Sequence, residues 1–260
     1  MVLNAMFFNF VVCFILPIVL AVVIGVGKPK GSTISYTKEK SRGWLVFLLG
    51  AAVYSVCEVC IRRLLVDKVF VDAEWYYQIM QNDLHYSLFH GVTMSFVEEL
   101  GRLLIFMIFY KKFTYKHTNK VSAVQYGLGC AWVEAIAVIG YKVLMYFVMT
   151  TDDVTILDEI GASRTALAAI ERCIFMFYQV GYALLIVNGI RVNRKFIFTA
   201  SVFVLHAVLA SLDIYLGLLG MSYTALLIIN GTLAAVVCIF ALVLWKKVPV
   251  KERKAYENVD

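Results

Sequence analysis

Seven long apolar runs govern what this chain can fold into: about residues 5–27, 44–66, 85–110, 121–149, 163–190, 196–219 and 221–245. Crossing a hydrocarbon core of ~30 Å takes roughly 20 helical residues, and each run supplies that many. Only helices and closed barrels satisfy their backbone in lipid, and runs of this length read as helices. Of 260 residues, 62% are hydrophobic and 16% charged, which leaves no room for a soluble domain of ordinary composition. The expectation is an all-α membrane protein: one domain over residues 1–260, a bundle of seven transmembrane helices, multi-pass in the cell membrane.

Charges between the runs set the orientation. Lys28, Lys30, Lys38, Lys40 and Arg42 fill the first connection, and Lys111, Lys112, Lys116 and Lys120 the third. Arg191, Arg194 and Lys195 fill the fifth, and Lys246, Lys247, Lys251, Arg253 and Lys254 lie in the tail, residues 246–260. The connection between the fourth and fifth runs is acidic, with Asp152, Asp153, Asp158 and Glu159. The positive-inside rule then places the N-terminus outside and the C-terminus in the cytoplasm. The formal charge of +6 thus reflects topology and calls for no nucleic-acid partner. No basic residue precedes the first run, so it reads as a helix and not as a signal peptide.

All six cysteines fall inside the runs, so no extracellular disulfide framework is indicated, and Cys57-x-x-Cys60 reads as packing. Asn230-Gly-Thr232 matches a glycosylation signal but is buried in the last run. Residues 67–83, with Trp75, Tyr76 and Tyr77, read as an outer loop with an aromatic interfacial anchor.

Ionisable side chains inside the third run need a reason. Glu98, Glu99 and Arg102 stand midway along it, where a charge costs at least ~2.5–3.5 kcal/mol. Counting from the cytoplasmic ends at ~1.5 Å per residue puts Glu98 and Glu99 roughly 17–18 Å deep and Arg102 about 12 Å. On the same count Glu134 lies at about 20 Å, Cys130 about 14 Å, Gln179 about 17 Å and His206 about 15 Å. Polar positions from four helices therefore share one layer near mid-bilayer. Glu171, Arg172 and Asp213 lie nearer the outer surface and read as a structural cluster, with an Arg172–Asp213 pair joining two helices.

A carboxylate beside a second carboxylate in a low-dielectric pocket suits a general base for water. A histidine from another helix can share that water. A divalent metal is the alternative, its candidate ligands His206, Glu134 and either Glu98 or Glu99, with Cys130 as a thiolate.

These motifs resemble the YhfC family: Glu98-Glu99-Leu-Gly-Arg102, Gly127-Leu-Gly-Cys130-Ala-Trp-Val-Glu134-Ala135, Glu171-Arg172 with Phe177-Tyr-Gln179, and Leu205-His206-Ala207 with Asp213. That family is one of intramembrane peptidases, related to CAAX-protease and bacteriocin-processing enzymes, to PrsW and to the Aph-type subunit of γ-secretase. The similar stretch, about residues 84–213, forms the motif core. The resemblance implies a multi-helix bundle and catalytic roles for Glu98, Glu99, Glu134 and His206, with Arg102, Cys130, Gln179 and Asp213 in support. Its substrate would be a membrane-embedded or membrane-proximal peptide, met within the lipid bilayer. Cys130 and Gln179 stand where the family usually has histidines, which weakens a metal site and favours a metal-free mechanism in which Glu98 or Glu99 activates water and His206 assists. A catalytically degenerate scaffold or substrate-binding subunit, and a proton-coupled transporter, are the alternatives.

Overall fold

The computed structural model describes residues 2–26, 36–112, 120–148 and 161–247. The basic segments around 28–35 and 113–119, the acidic connection at 149–160 and the tail from 248 lie outside the described residues. Almost every described residue is helical, and no strand occurs among them. In chain order the helices are α1 (residues 2–26), α2 (residues 36–70), α3 (Glu74–Met80), α4 (Asp83–Lys112), α5 (residues 120–148), α6 (Ala162–Arg191), α7 (Lys195–Leu218) and α8 (Tyr223–Lys247).

Six of these, α1, α2, α5, α6, α7 and α8, are long and apolar enough to cross a membrane. The stretch read as an outer aromatic loop is largely helical. The helix of the second run continues to Phe70, and Trp75 and Tyr76 lie on α3. Trp75, Tyr76 and Phe70 pack against Phe89 of α4, so α3 folds back over that end of the bundle.

At 30 residues α4 spans ~45 Å, but Glu98, Glu99 and Arg102 depress its average hydropathy. The average conceals two faces. Leu84, Leu88, Val92, Phe96, Leu100, Leu104 and Ile108 recur every fourth residue on an exposed apolar stripe, while the three charges are buried on the other side.

The core sits on α6. Of its most apolar window 72% is buried, against 28–44% for the other five candidate spans, and it packs on α1, α5, α7 and α8. Helices in lipid gain little from hydrophobic burial against one another, so small residues that admit close backbone approach set the packing. A Cβ on Gly127 of α5 would lie 2.6 Å from the Val180 Cα of α6, and Gly129 and Gly50 bring α5 and α2 together in the same way. Asn9 of α1 donates to the Thr165 carbonyl of α6 at 2.7 Å, a buried polar tie between helices. All six cysteines are free.

Candidate active site

Adjacent residues on a helix point about 100° apart, so Glu98 and Glu99 share a depth but not a direction. Arg102, one turn further along α4, reaches between them. Its Nη1 donates to both oxygens of Glu99 at 2.5 and 2.6 Å, while its Nη2 stands 3.6 Å from Glu98 Oε2. The guanidinium therefore belongs chiefly to Glu99. Glu98, four residues before Arg102, makes the looser of the two contacts.

Gln179 of α6 joins three helices. Its Oε1 accepts from Arg102 Nη2 at 2.5 Å, and its Nε2 donates to Glu98 Oε2 at 3.1 Å and to Glu134 Oε2 of α5 at 2.8 Å. The second oxygen of Glu134 accepts from Arg172 Nη1 at 3.4 Å, and Arg172 also pairs with Glu171 at 3.0 Å. Arg172 is thus tied to Glu134 and Glu171, in place of the Arg172–Asp213 pair expected from the sequence. Asp213 accepts instead from Asn230 Nδ2 of α8 at 2.5 Å.

His206 of α7 places Nδ1 2.9 Å from Glu99 Oε1. An ionised carboxylate only accepts, so Nδ1 carries the proton, and in the neutral imidazole Nε2 keeps a lone pair. The imidazole lies flat on Tyr182, with ring centroids 4.6 Å apart and planes at 26°. Glu98, Glu99, Arg102, Glu134, Gln179 and His206 are all buried. Four carboxylates, of Glu98, Glu99, Glu134 and Glu171, face two guanidiniums, of Arg102 and Arg172, so carboxylates outnumber guanidiniums around the site.

A cavity of about 30 Å³ opens among Glu98, Glu134, Gln179, Tyr182 and His206 and runs towards Asp213 and Asn230. That volume accommodates one or two waters. It extends towards the end of the bundle that carries α3. Glu99 and Arg102 are absent from its lining and stand behind His206 and Gln179. Cys130, read from sequence as a possible ligand, is also absent; its Sγ lies 3.4 Å from the Gly50 carbonyl of α2. Asn230 and Tyr182 line the cavity and went unnoticed in the sequence, Asn230 because it passed for a silent glycosylation signal.

Ligand atoms of Glu98, Glu99 and His206 come within 4.8 Å of one another, close enough by separation alone for a divalent ion. Their chemistry does not suit one. Both oxygens of Glu99 already accept from Arg102, and a dication there would lie against a guanidinium. Gln179 turns its NH2, which has no lone pair to offer, towards Glu98 and Glu134. One imidazole and two carboxylates bridged by an amide remain, short of the three unencumbered donors of a catalytic zinc site. As arranged, these residues do not fit a resident metal.

Among known proteins, a family model described as YhfC intramembrane metalloprotease matches residues 18–237. No curated protein and no solved structure matches.

Proposed function

The chain belongs to the YhfC intramembrane metalloprotease family, and from that premise we propose that it hydrolyses a peptide bond within the membrane using water activated by Glu98. A family of proteases lends no support to the scaffold or proton-coupled carrier alternatives. In this reading α4 is the seventh span, with its apolar stripe in lipid and its charges inward, and the N-terminus is outside.

One observation supports Glu98 as the base: of the two adjacent glutamates, only Glu98 lines the water-sized cavity. Its Oε2 is held by Gln179, and among the described residues no hydrogen bond is made to its Oε1. Water lodged there gives one proton to Glu98 as its oxygen bonds to the scissile carbonyl carbon. The C–N bond then breaks, and Glu98 returns the proton to the leaving nitrogen, giving a carboxylic acid and an amine. His206, its Nδ1–H fixed on Glu99, offers Nε2 to the water's second hydrogen. Glu99 and Arg102 act through His206 and Gln179, as positioning residues. The metal implied by the family description is not matched by this donor set, so side chains carry the reaction.

Purified protein in detergent, incubated with a library of membrane-span peptides, tests this reading. Cleavage should persist in chelator, with metal content well below one ion per chain, and should vanish in Glu98→Gln. Cleavage abolished by chelator and restored by a divalent ion would refute it.

A further inference from the structure

Glu58 is a buried carboxylate for which the reaction above has no use. It lies in a π-helical stretch of α2, Ser55–Arg62, a distortion that often marks functional positions. Its side chain is only 5% exposed. Oε1 accepts from Arg62 Nε one turn on, while Oε2 is buried with no hydrogen-bond partner among the described residues. A charged oxygen left bare in an apolar interior is expensive, so it needs a donor that neighbouring side chains do not supply. Water is the donor at hand.

Contacts between α2 and α4 show where that oxygen lies. Gly101 of α4 abuts Cys57 of α2, and Arg62 Nη1 stands 3.5 Å from His90 Nδ1 of α4. The two helices thus run antiparallel, with 57 opposite 101 and 62 opposite 90. Glu58 falls opposite the turn between, which holds Met94 and Glu98, and both of these line the catalytic cavity. In the other direction, His90 accepts from Arg62 at Nδ1 and so carries its proton on Nε2, which stands 3.2 Å from the Tyr76 hydroxyl of α3. A polar line therefore descends from the short helix at the end of the bundle to the turn that bears Glu98. Each hydrolysis consumes a water, the cavity holds one or two, and the surrounding helices present apolar side chains to lipid.

We propose that Tyr76, His90, Arg62 and Glu58 form an inlet, between α2 and α4, by which water reaches the catalytic cavity, with Glu58 the positioning residue for the last water before Glu98. The inlet rests on the hydrolytic reading above, but its test does not require cleavage.

Hydroxyl radicals generated from water label side chains beside bound water, and mass spectrometry of the whole protein in lipid nanodiscs reads that labelling. Tyr182 is buried and lines the cavity, whereas Met80 on α3 is exposed and serves as the control. Tyr182 labelling should fall about tenfold in Glu58→Leu, the occupancy change for losing one hydrogen bond to a charged group. It should fall less in Glu58→Gln, with Met80 unchanged in both. His90→Leu interrupts the line higher up at a half-buried position and should give the same loss, which covers misfolding of Glu58→Leu. Undiminished Tyr182 labelling in the folded His90→Leu protein, or in folded Glu58→Leu, overturns the inlet. If labelling depends on Glu58 while the wild-type protein cleaves nothing, the inlet stands and the hydrolytic reading fails.

Discussion

Replacing each of the two adjacent glutamates by glutamine should give opposite results. Glu99 has both oxygens on Arg102 at 2.5 and 2.6 Å and a third contact to His206, and the Glu99 and Arg102 side chains are each 1% exposed. Removing one partner of a fully buried pair costs ~3–5 kcal/mol. Glutamine keeps one acceptor oxygen, and Gln179 still accepts from Arg102 Nη2, so Glu99→Gln should fall at the lower end, about 3 kcal/mol. That is roughly a hundredfold in the folded-to-unfolded ratio. Glu98 makes only a 3.6 Å contact with the guanidinium, and a glutamine carbonyl can still accept from Gln179 Nε2. Its removal also relieves the excess of carboxylates over guanidiniums. Glu98→Gln should therefore change stability by about 1 kcal/mol or less, yet lower turnover ~10²–10⁴-fold by removing the general base. Unfolding by SDS in mixed micelles, followed by tryptophan fluorescence, gives the stabilities, and the peptide-library assay gives the rates. Equal stabilities for the two variants, or a Glu98→Gln protein that cleaves like wild type, would refute the assignment of base and partner.

Gln179→His exchanges the bridging amide for an imidazole facing Glu98 and Glu134, and should raise bound Co²⁺ or Zn²⁺ towards one per chain by elemental analysis. No gain over wild type would show that Gln179 is not what spoils the donor set. Gly127→Ala puts a methyl group against the Val180 backbone, where α5 and α6 cannot both stay in place. It should cost ~1–3 kcal/mol in the same SDS titration, and an unchanged midpoint would show that this approach does not set the packing. In a background free of native cysteines, a cysteine at Asp153 should react with an impermeant maleimide from outside only, and one at Lys116 from the cytoplasm only; the reverse pattern would invert the orientation.

Depth was legible in the sequence and direction was not. A helix advances a fixed distance per residue, so counting from the basic ends was enough to bring Glu98, Glu134, Gln179 and His206 to one level, and the structure joins them through Gln179 and Glu99. Rotation about each helix axis has no such ruler, because it is set by where partners press closest. The count could not say which of Glu98 and Glu99 meets the cavity, since they differ by about 100° and hardly at all in height. The Arg172–Asp213 pair expected from their shared level is not made, because Gly127 draws α5 against α6 and brings Glu134 within reach of Arg172 instead. Cys130 was placed at the right level for a ligand, yet it is turned to the Gly50 carbonyl, on the side where Gly129 admits α2. Glu58 carries no signal of its own in the sequence, since Arg62 follows it at the i,i+4 spacing of an ordinary helical ion pair; only the unpartnered Oε2 and the facing turn of α4 distinguish it. In a bundle whose helices meet through glycines, these small residues decide which polar side chains share a cavity. Two glutamates adjacent in the chain can then hold different posts, one facing the cavity and the other locked on an arginine behind it.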